Sequence, residues 1–210
     1  MRRPARWVAW LPLAAAFPAM NGAPSAAPAP VHAPAPPVAQ APRAGSVALP
    51  LDPAASRLTF TIHRPGESIE GTAGRFEGEV RLDPSDLSKG ASVVLRVVAV
   101  SLETGNRMRD GKMRKAHLEV ERFPEIVFRS TSIQVKERKA LVEGTLALHG
   151  VERSLIVPVA IRYDNGLFTA EGSVTLTYSD YGIPIPRFLW LVMDDAIEVR
   201  FRFVAGPAPR

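Results

Sequence analysis

The amino-acid sequence predicts an all-β protein of about eight antiparallel strands with one short helix, and three observations predict it. Apolar residues recur at every second position in one segment after another from Arg57 onward. The links between these segments are short and rich in turn formers. Only one interval, residues 105–120, replaces the alternation with helix formers.

Residues 57–63 set Leu58, Phe60 and Ile62 on one face and polar side chains on the other. Residues 75–83 do the same with Phe76, Gly78, Val80 and Leu82. Between them, Gly71-Thr72-Ala73-Gly74 reads as a turn. Residues 92–102 are valine-rich on both faces, as in a central strand or one lining an apolar cavity. Residues 125–135 are β-branched, 136–139 form a charged turn, and 141–148 return as the hairpin partner. Residues 153–163 and 167–178 flank Asp164-Asn165-Gly166, where Asn-Gly supplies the positive φ that tight hairpins need. Residues 196–204 end the pattern, with Ile197, Val199, Phe201 and Phe203 on one face and Glu198, Arg200 and Arg202 on the other. The helical interval, with Met108, Met113 and Leu118, ends before Phe123-Pro124 and would cover one end of the strands. A sheet this apolar on one face closes as a barrel or stacks as a sandwich.

The first 45 residues differ in kind. They hold ten of the twenty prolines and no acidic residue. Arg2, Arg3 and Arg6 precede an apolar stretch over 7–20 and a run of small residues, the layout of an export signal over 1–27. About 14 apolar residues fall short of the ~20 that span a bilayer. Residues 28–46 alternate Ala and Pro, a semi-rigid spacer. The folded domain is expected over 47–205, followed by a tail over 206–210, and the location is expected to be periplasmic or secreted. Arg2, Arg3, Arg6 and Arg43 supply +4 of the formal +5, so the remaining 22 basic and 21 acidic residues nearly balance and no nucleic-acid partner is expected. With no cysteine, the domain is held by its core alone.

Motifs for chemistry are missing from the sequence: no cysteine nucleophile, no Gly-x-Ser-x-Gly, no phosphate-cradling glycine loop and no His-Glu-x-x-His. His63, His117 and His149, with Asp110 as an oxygen ligand, would make a metal site only if the fold brought them together. The plainer reading is three separate histidines with one hydrogen bond each, and no metal. Asp194-Asp195 reads as a turn before the last strand. Arg107, Arg109, Lys112, Arg114 and Lys115 form either a solvated helix face or a patch that meets an anionic head group or a membrane surface.

An ordered series of segments resembles the YceI-like family. It runs from Leu51-Asp52-Pro53 to Phe60-Thr61-Ile62-His63, through Gly74-Arg75-Phe76, Thr104-Gly105-Asn106, Arg109-Asp110, His117-Leu118 and Phe123-Pro124, to Phe128-Arg129-Ser130 and Gly144 to Val151. Near the end, Asp180-Tyr181-Gly182 keeps the family's Asp-aromatic-Gly, but the basic residue usual before it is replaced by Ser179. The resemblance implies an eight-stranded antiparallel lipocalin-like barrel with a short helix over one end. It also implies a non-enzymatic protein that binds or transports a hydrophobic amphiphile, a polyisoprenoid or quinone-like lipid, with no other cofactor. The residues that would face such a ligand are Phe60, Ile62, Phe76, Val80, Val94, Phe128, Leu146, Leu148, Leu176, Tyr178, Phe201 and Phe203, with Met108, Met113 and Leu118 at the lid. The alternative is an envelope stress-response or protein-interaction module whose barrel is filled. Transient contact with a membrane surface and a homodimer are both compatible with the sequence.

Overall fold

A computed structural model of the chain describes residues 46–87, 89–188 and 191–206. The expected signal segment, all of the spacer but its last residue, and the last four residues lie outside them. Each segment with period-two alternation forms a strand. These are β2 (Arg57–Arg64), β4 (Phe76–Leu82), β5 (Ser92–Val98), β7 (Glu125–Lys136), β8 (Lys139–Leu148), β9 (Val151–Asp164), β10 (Leu167–Thr177) and β13 (Ala196–Ala205). Five further strands join them: β1 (Val47–Pro50), β3 (Glu67–Ala73), β6 (Leu102–Glu103), β11 (Arg187–Phe188) and β12 (Leu191–Val192).

One 11-stranded antiparallel sheet runs in the order β1-β4-β5-β7-β8-β9-β10-β13-β2-β3-β6, and β11 and β12 form a separate ribbon. The sheet curls because one segment serves both of its sides. β3 pairs with β2 and β4 with β5, yet only Gly74 and Arg75 separate β3 from β4. That kink is bridged by the end of β5 and the chain after it: Gly74 N donates to Ser101 O at 3.0 Å and Val98 N to Arg75 O at 3.0 Å. At the other end Leu51 bridges Ala205, and Asp52 N donates to Val204 O at 2.8 Å. With β3 and β4 counted as one kinked segment, eight long segments surround the interior, as the alternation predicts.

Two local devices hold the register. Asn165 (φ 49°) and Gly166 (φ 81°) make the predicted two-residue turn between β9 and β10. In β7 the pairing with β8 slips between Ser130 and Ser132. This bulge matters because a strand's inward set has period two. Ile126 and Phe128 face inward before it, and Ile133 and Val135 after it. Without the extra residue the last two would face solvent.

Gly71-Thr72-Ala73, read as a turn, belongs to β3 instead. Gly71 stands opposite Phe60, and a Cβ there would lie 2.2 Å from the Phe60 ring. The glycine is a seat for that ring, and the turn falls at Gly74-Arg75.

The helical interval holds α1 (Arg107–Lys112) and one π turn over Met113–His117. Asn106 starts α1: its side chain accepts from Met108 N and Arg109 N, both at 3.1 Å.

Candidate functional site

The barrel encloses a cavity of about 670 Å³. That volume lies within the few-hundred to ~1,000 Å³ typical of small-ligand sites. Its wall is the inward parity of each strand: Leu58, Phe60 and Ile62 from β2, Leu146 and Leu148 from β8, Val157, Val159 and Ile161 from β9, and Val199, Phe201 and Phe203 from β13. Three wall phenylalanines lie flat because a glycine faces each ring: Gly71 under Phe60, Gly144 under Phe128 and Gly172 under Phe201. Flat rings line the cavity and leave its axis open.

The wall is polarised. From Leu82 and Leu87 through Val142 to Phe168 it is apolar. At the cap end it includes Arg64, Thr104, Asn106, Arg109, Lys112, His117 and Arg187. These polar groups are held in place. Asp110, only 6% exposed, accepts from Thr104 N at 2.9 Å and Thr104 Oγ1 at 2.5 Å. Arg109 Nε donates to Thr104 Oγ1 at 2.7 Å and its Nη2 to Thr104 O at 3.0 Å. Arg114 Nη2 donates to Leu102 O at 3.0 Å, and Lys112 Nζ to Arg187 O at 3.3 Å. Of the basic cluster, Arg109 and Arg114 are therefore partly buried loop clamps, while Arg107, Lys112 and Lys115 are exposed.

His117 Nδ1 sits 3.0 Å from the Pro184 carbonyl, which can only accept, so Nδ1 carries the proton and Nε2 is an acceptor. Burial, partly opposed by the Pro184 bond and assisted by the nearby Lys112 charge, holds the His117 pKa below the ordinary histidine value. Burial, assisted by Asp195, pushes the Tyr178 hydroxyl up, so it keeps its proton. The other histidines are engaged elsewhere. His63 Nδ1 lies 2.9 Å from Ser68 Oγ, and His149 Nδ1 donates to Tyr181 O at 3.1 Å. Among the described residues no three metal-ligating side chains converge. Asp194-Asp195 leads into β13, with a bend at Asp195, and the Asp195 carboxylate reaches across to accept from Ser179 N at 2.9 Å in the turn after β10.

Of the residues expected to face a ligand, Phe60, Ile62, Val80, Phe128, Leu146, Leu148, Leu176, Tyr178, Phe201 and Phe203 lie on the cavity wall. Met113 and Leu118 close it from the cap, and Met108 is at its rim, 87% exposed. Two are elsewhere. Val94 points out of the barrel, opposite Arg129, and the inward residues of β5 are Val93, Leu95 and Val97. Arg96 shares the parity of Val94, and its charge marks that face as outward. Phe76 is buried, but it packs behind the wall with Ala73, Val97 and Phe203, its ring centroid 5.8 Å from that of Phe203. The cap-end groups Arg64, Thr104, His117 and Arg187 were not among the expected ligand-facing residues. Arg64 was legible by parity, as the next inward position after Leu58, Phe60 and Ile62.

A closed antiparallel barrel around an apolar cavity, with a helical cap over one end, defines a lipocalin-like barrel protein. This chain belongs to the YceI-like domain family, which residues 50–205 match. A UPF0312 protein of Pseudomonas savastanoi is 29% identical over 152 residues, covering 67% of this chain and 79% of the relative. A UPF0312 protein of Vibrio cholerae is 30% identical over 107 residues, and the match spans 50% of this chain and 56% of the relative's length. Among solved structures, BcnA of Burkholderia cenocepacia superposes with a TM-score of 0.68 at 21% identity, covering 74% of this chain and 99% of BcnA. A polyisoprenoid-binding domain from Saccharophagus degradans superposes with a TM-score of 0.60 at 17% identity, covering 76% and 98%. At these identities the likeness is one of fold.

Proposed function

We propose that this chain is an exported, non-enzymatic carrier that holds one amphiphilic lipid, its polyisoprenoid or quinone-like tail in the barrel and its head at the cap. The observation that carries the reading is the 670 Å³ apolar cavity whose charged groups, among the described residues, gather at one end. A chain of isoprene units gains about 0.8 kcal/mol for each methylene taken out of water. Among the described residues the wall offers no Ser, Cys, Asp or Glu side chain, so it presents neither a serine or cysteine nucleophile nor a carboxylate acid–base group. The polyisoprenoid-binding domain with the same fold supports this class of cargo. Met108, exposed on the cap beside Arg107, Lys112 and Lys115, suits a mouth that meets a membrane surface to exchange cargo. The cavity favours a carrier over an interaction module with a filled barrel.

The test is organic extraction of the purified protein followed by mass spectrometry, together with uptake of added polyprenols. A lipid of this class is expected in near-stoichiometric amount or on addition. An empty extract with no uptake would sink the carrier reading.

A further inference from the structure

The cap is built of two unlike halves. The second, from His117 to Pro124, is bolted to distant parts of the chain. His117 Nδ1 donates to Pro184 O at 3.0 Å, and Pro124 O accepts from Ala99 N at 2.9 Å. The Phe123 ring lies 4.7 Å from that of His149 and fills the space that a Cβ on Gly150 would need. The first half, residues 104–112, is held differently. Its fixed shape comes from within: Asn106 caps α1, the Thr104 N and Oγ1 donate to the buried Asp110 carboxylate, and Arg109 Nε donates to Thr104 Oγ1. Its neck is pinned by Arg114, whose Nη2 donates to Leu102 O at 3.0 Å, so the chain enters and leaves side by side.

Thr104, Asn106, Met108, Arg109 and Lys112 of this half border the cavity. Among the described residues, its hydrogen bonds nevertheless stay within it and the turn that follows, with one exception: Lys112 Nζ donates to Arg187 O at 3.3 Å. The receiving side is firm. There β11 pairs with β12, Met193 N donates to Pro186 O at 3.0 Å, and Asp194 N donates to His63 O at 2.9 Å, at the end of β2.

Resting on the carrier reading, we propose that residues 104–112 are a flap that swings as one rigid piece on the neck at Leu102 and Arg114. The Lys112–Arg187 bond is its catch, and cargo passes beneath it. One exposed bond makes a weak catch, because water competes for both partners. The internal bonds ride along unbroken, so opening gives up the catch and keeps α1. The rival route is unwinding, since a helix of 6 residues is marginal by itself.

The chain has no cysteine, so introduced pairs are its only thiols. Two double variants of the full chain, K112C/R187C and R107C/G111C, are each prepared in two forms: joined by a short bis-maleimide, or capped on both thiols with N-ethylmaleimide. The first tether spans the catch. The second staples α1 internally at positions four apart, where both residues are exposed and a Cβ on Gly111 meets nothing within 4 Å. Each form is loaded with a polarity-sensitive apolar dye, and stopped flow follows uptake, then release into excess farnesol. Tethering K112C/R187C is expected to slow both uptake and release at least about ten-fold against its capped form, as a closed lid does. Tethering R107C/G111C is expected to change them by less than about two-fold, because a rigid flap does not need to unwind. Unslowed exchange in the tethered K112C/R187C overturns the inference and leaves the carrier reading standing, since dye still enters. Slowing of R107C/G111C to the same degree overturns it in favour of unwinding. If the parent protein takes up no dye, the carrier reading fails and takes this inference with it.

Discussion

His117 is the buried titratable group on the cavity wall whose pKa burial lowers. Its folded pKa lies below the unfolded one, about 6.5. Below that pH the unfolded chain binds a proton that the folded barrel refuses, so the stability His117 contributes is present above about 6.5 and is lost as pH falls toward its folded pKa. Urea unfolding at pH 7.5 and 5.5 is expected to show a smaller loss on acidification in His117→Gln than in the parent. Identical losses would remove His117 as the cause. Gly71 makes a different residue-level point. Its missing Cβ is the space that the Phe60 ring occupies, with the ring's Cζ at 2.2 Å from where a Cβ would stand. Gly71→Ala is expected to drive that ring toward the cavity axis, lower stability by about 1–3 kcal/mol and reduce dye uptake. Unchanged melting temperature and uptake would show that the seat is not needed.

At the scale of elements, the start of α1 is capped by a single side chain. Asn106 satisfies two orphan amides at the start of α1, and its replacement by Ala is expected to cost about 1 kcal/mol. Because the cost falls on the cap and not on the barrel, stopped-flow dye release is expected to quicken more than equilibrium unfolding is affected. Release at the parental rate would place the gate elsewhere. The long strands were legible because burial on one face writes period two into the sequence. β3 was not: Glu67 to Ala73 carries only Ile69 as a large apolar residue, and its Gly71 imitates a turn until the ring above it is seen. β5 was legible as a strand but ambiguous in phase, since valines fill both faces, and Val94 was assigned inward against the marker at Arg96. The bulge in β7 left no sequence mark beyond Ser-Thr-Ser, yet it re-phases the inward set. The mouth was the least legible part, because Arg64, Lys112, His117 and Arg187 are distant in sequence and only the closed sheet gathers them.

Across the whole molecule, closure brings the parts together. The eight predicted segments and the predicted helix were enough to imply an enclosed interior, and membership of the YceI-like family fixes the barrel. Whether that interior was hollow depended on ring orientation and glycine placement, which alternation does not encode.

The segment from Glu67 to Leu82 belongs to both sides of the wall at once. The wall therefore has no seam there: parting β2 from β3 or β4 from β5 drags on a covalently continuous strand that its other neighbour still holds. For the proposed carrier, the cap end, where the charged wall groups gather, is then the expected way out. How tightly a cargo is held is then set by the barrel, and how long it stays by a helix of 6 residues and the turn after it. The two quantities can change independently, so residence time can be retuned by substitutions in the cap without altering which cargo the barrel accepts.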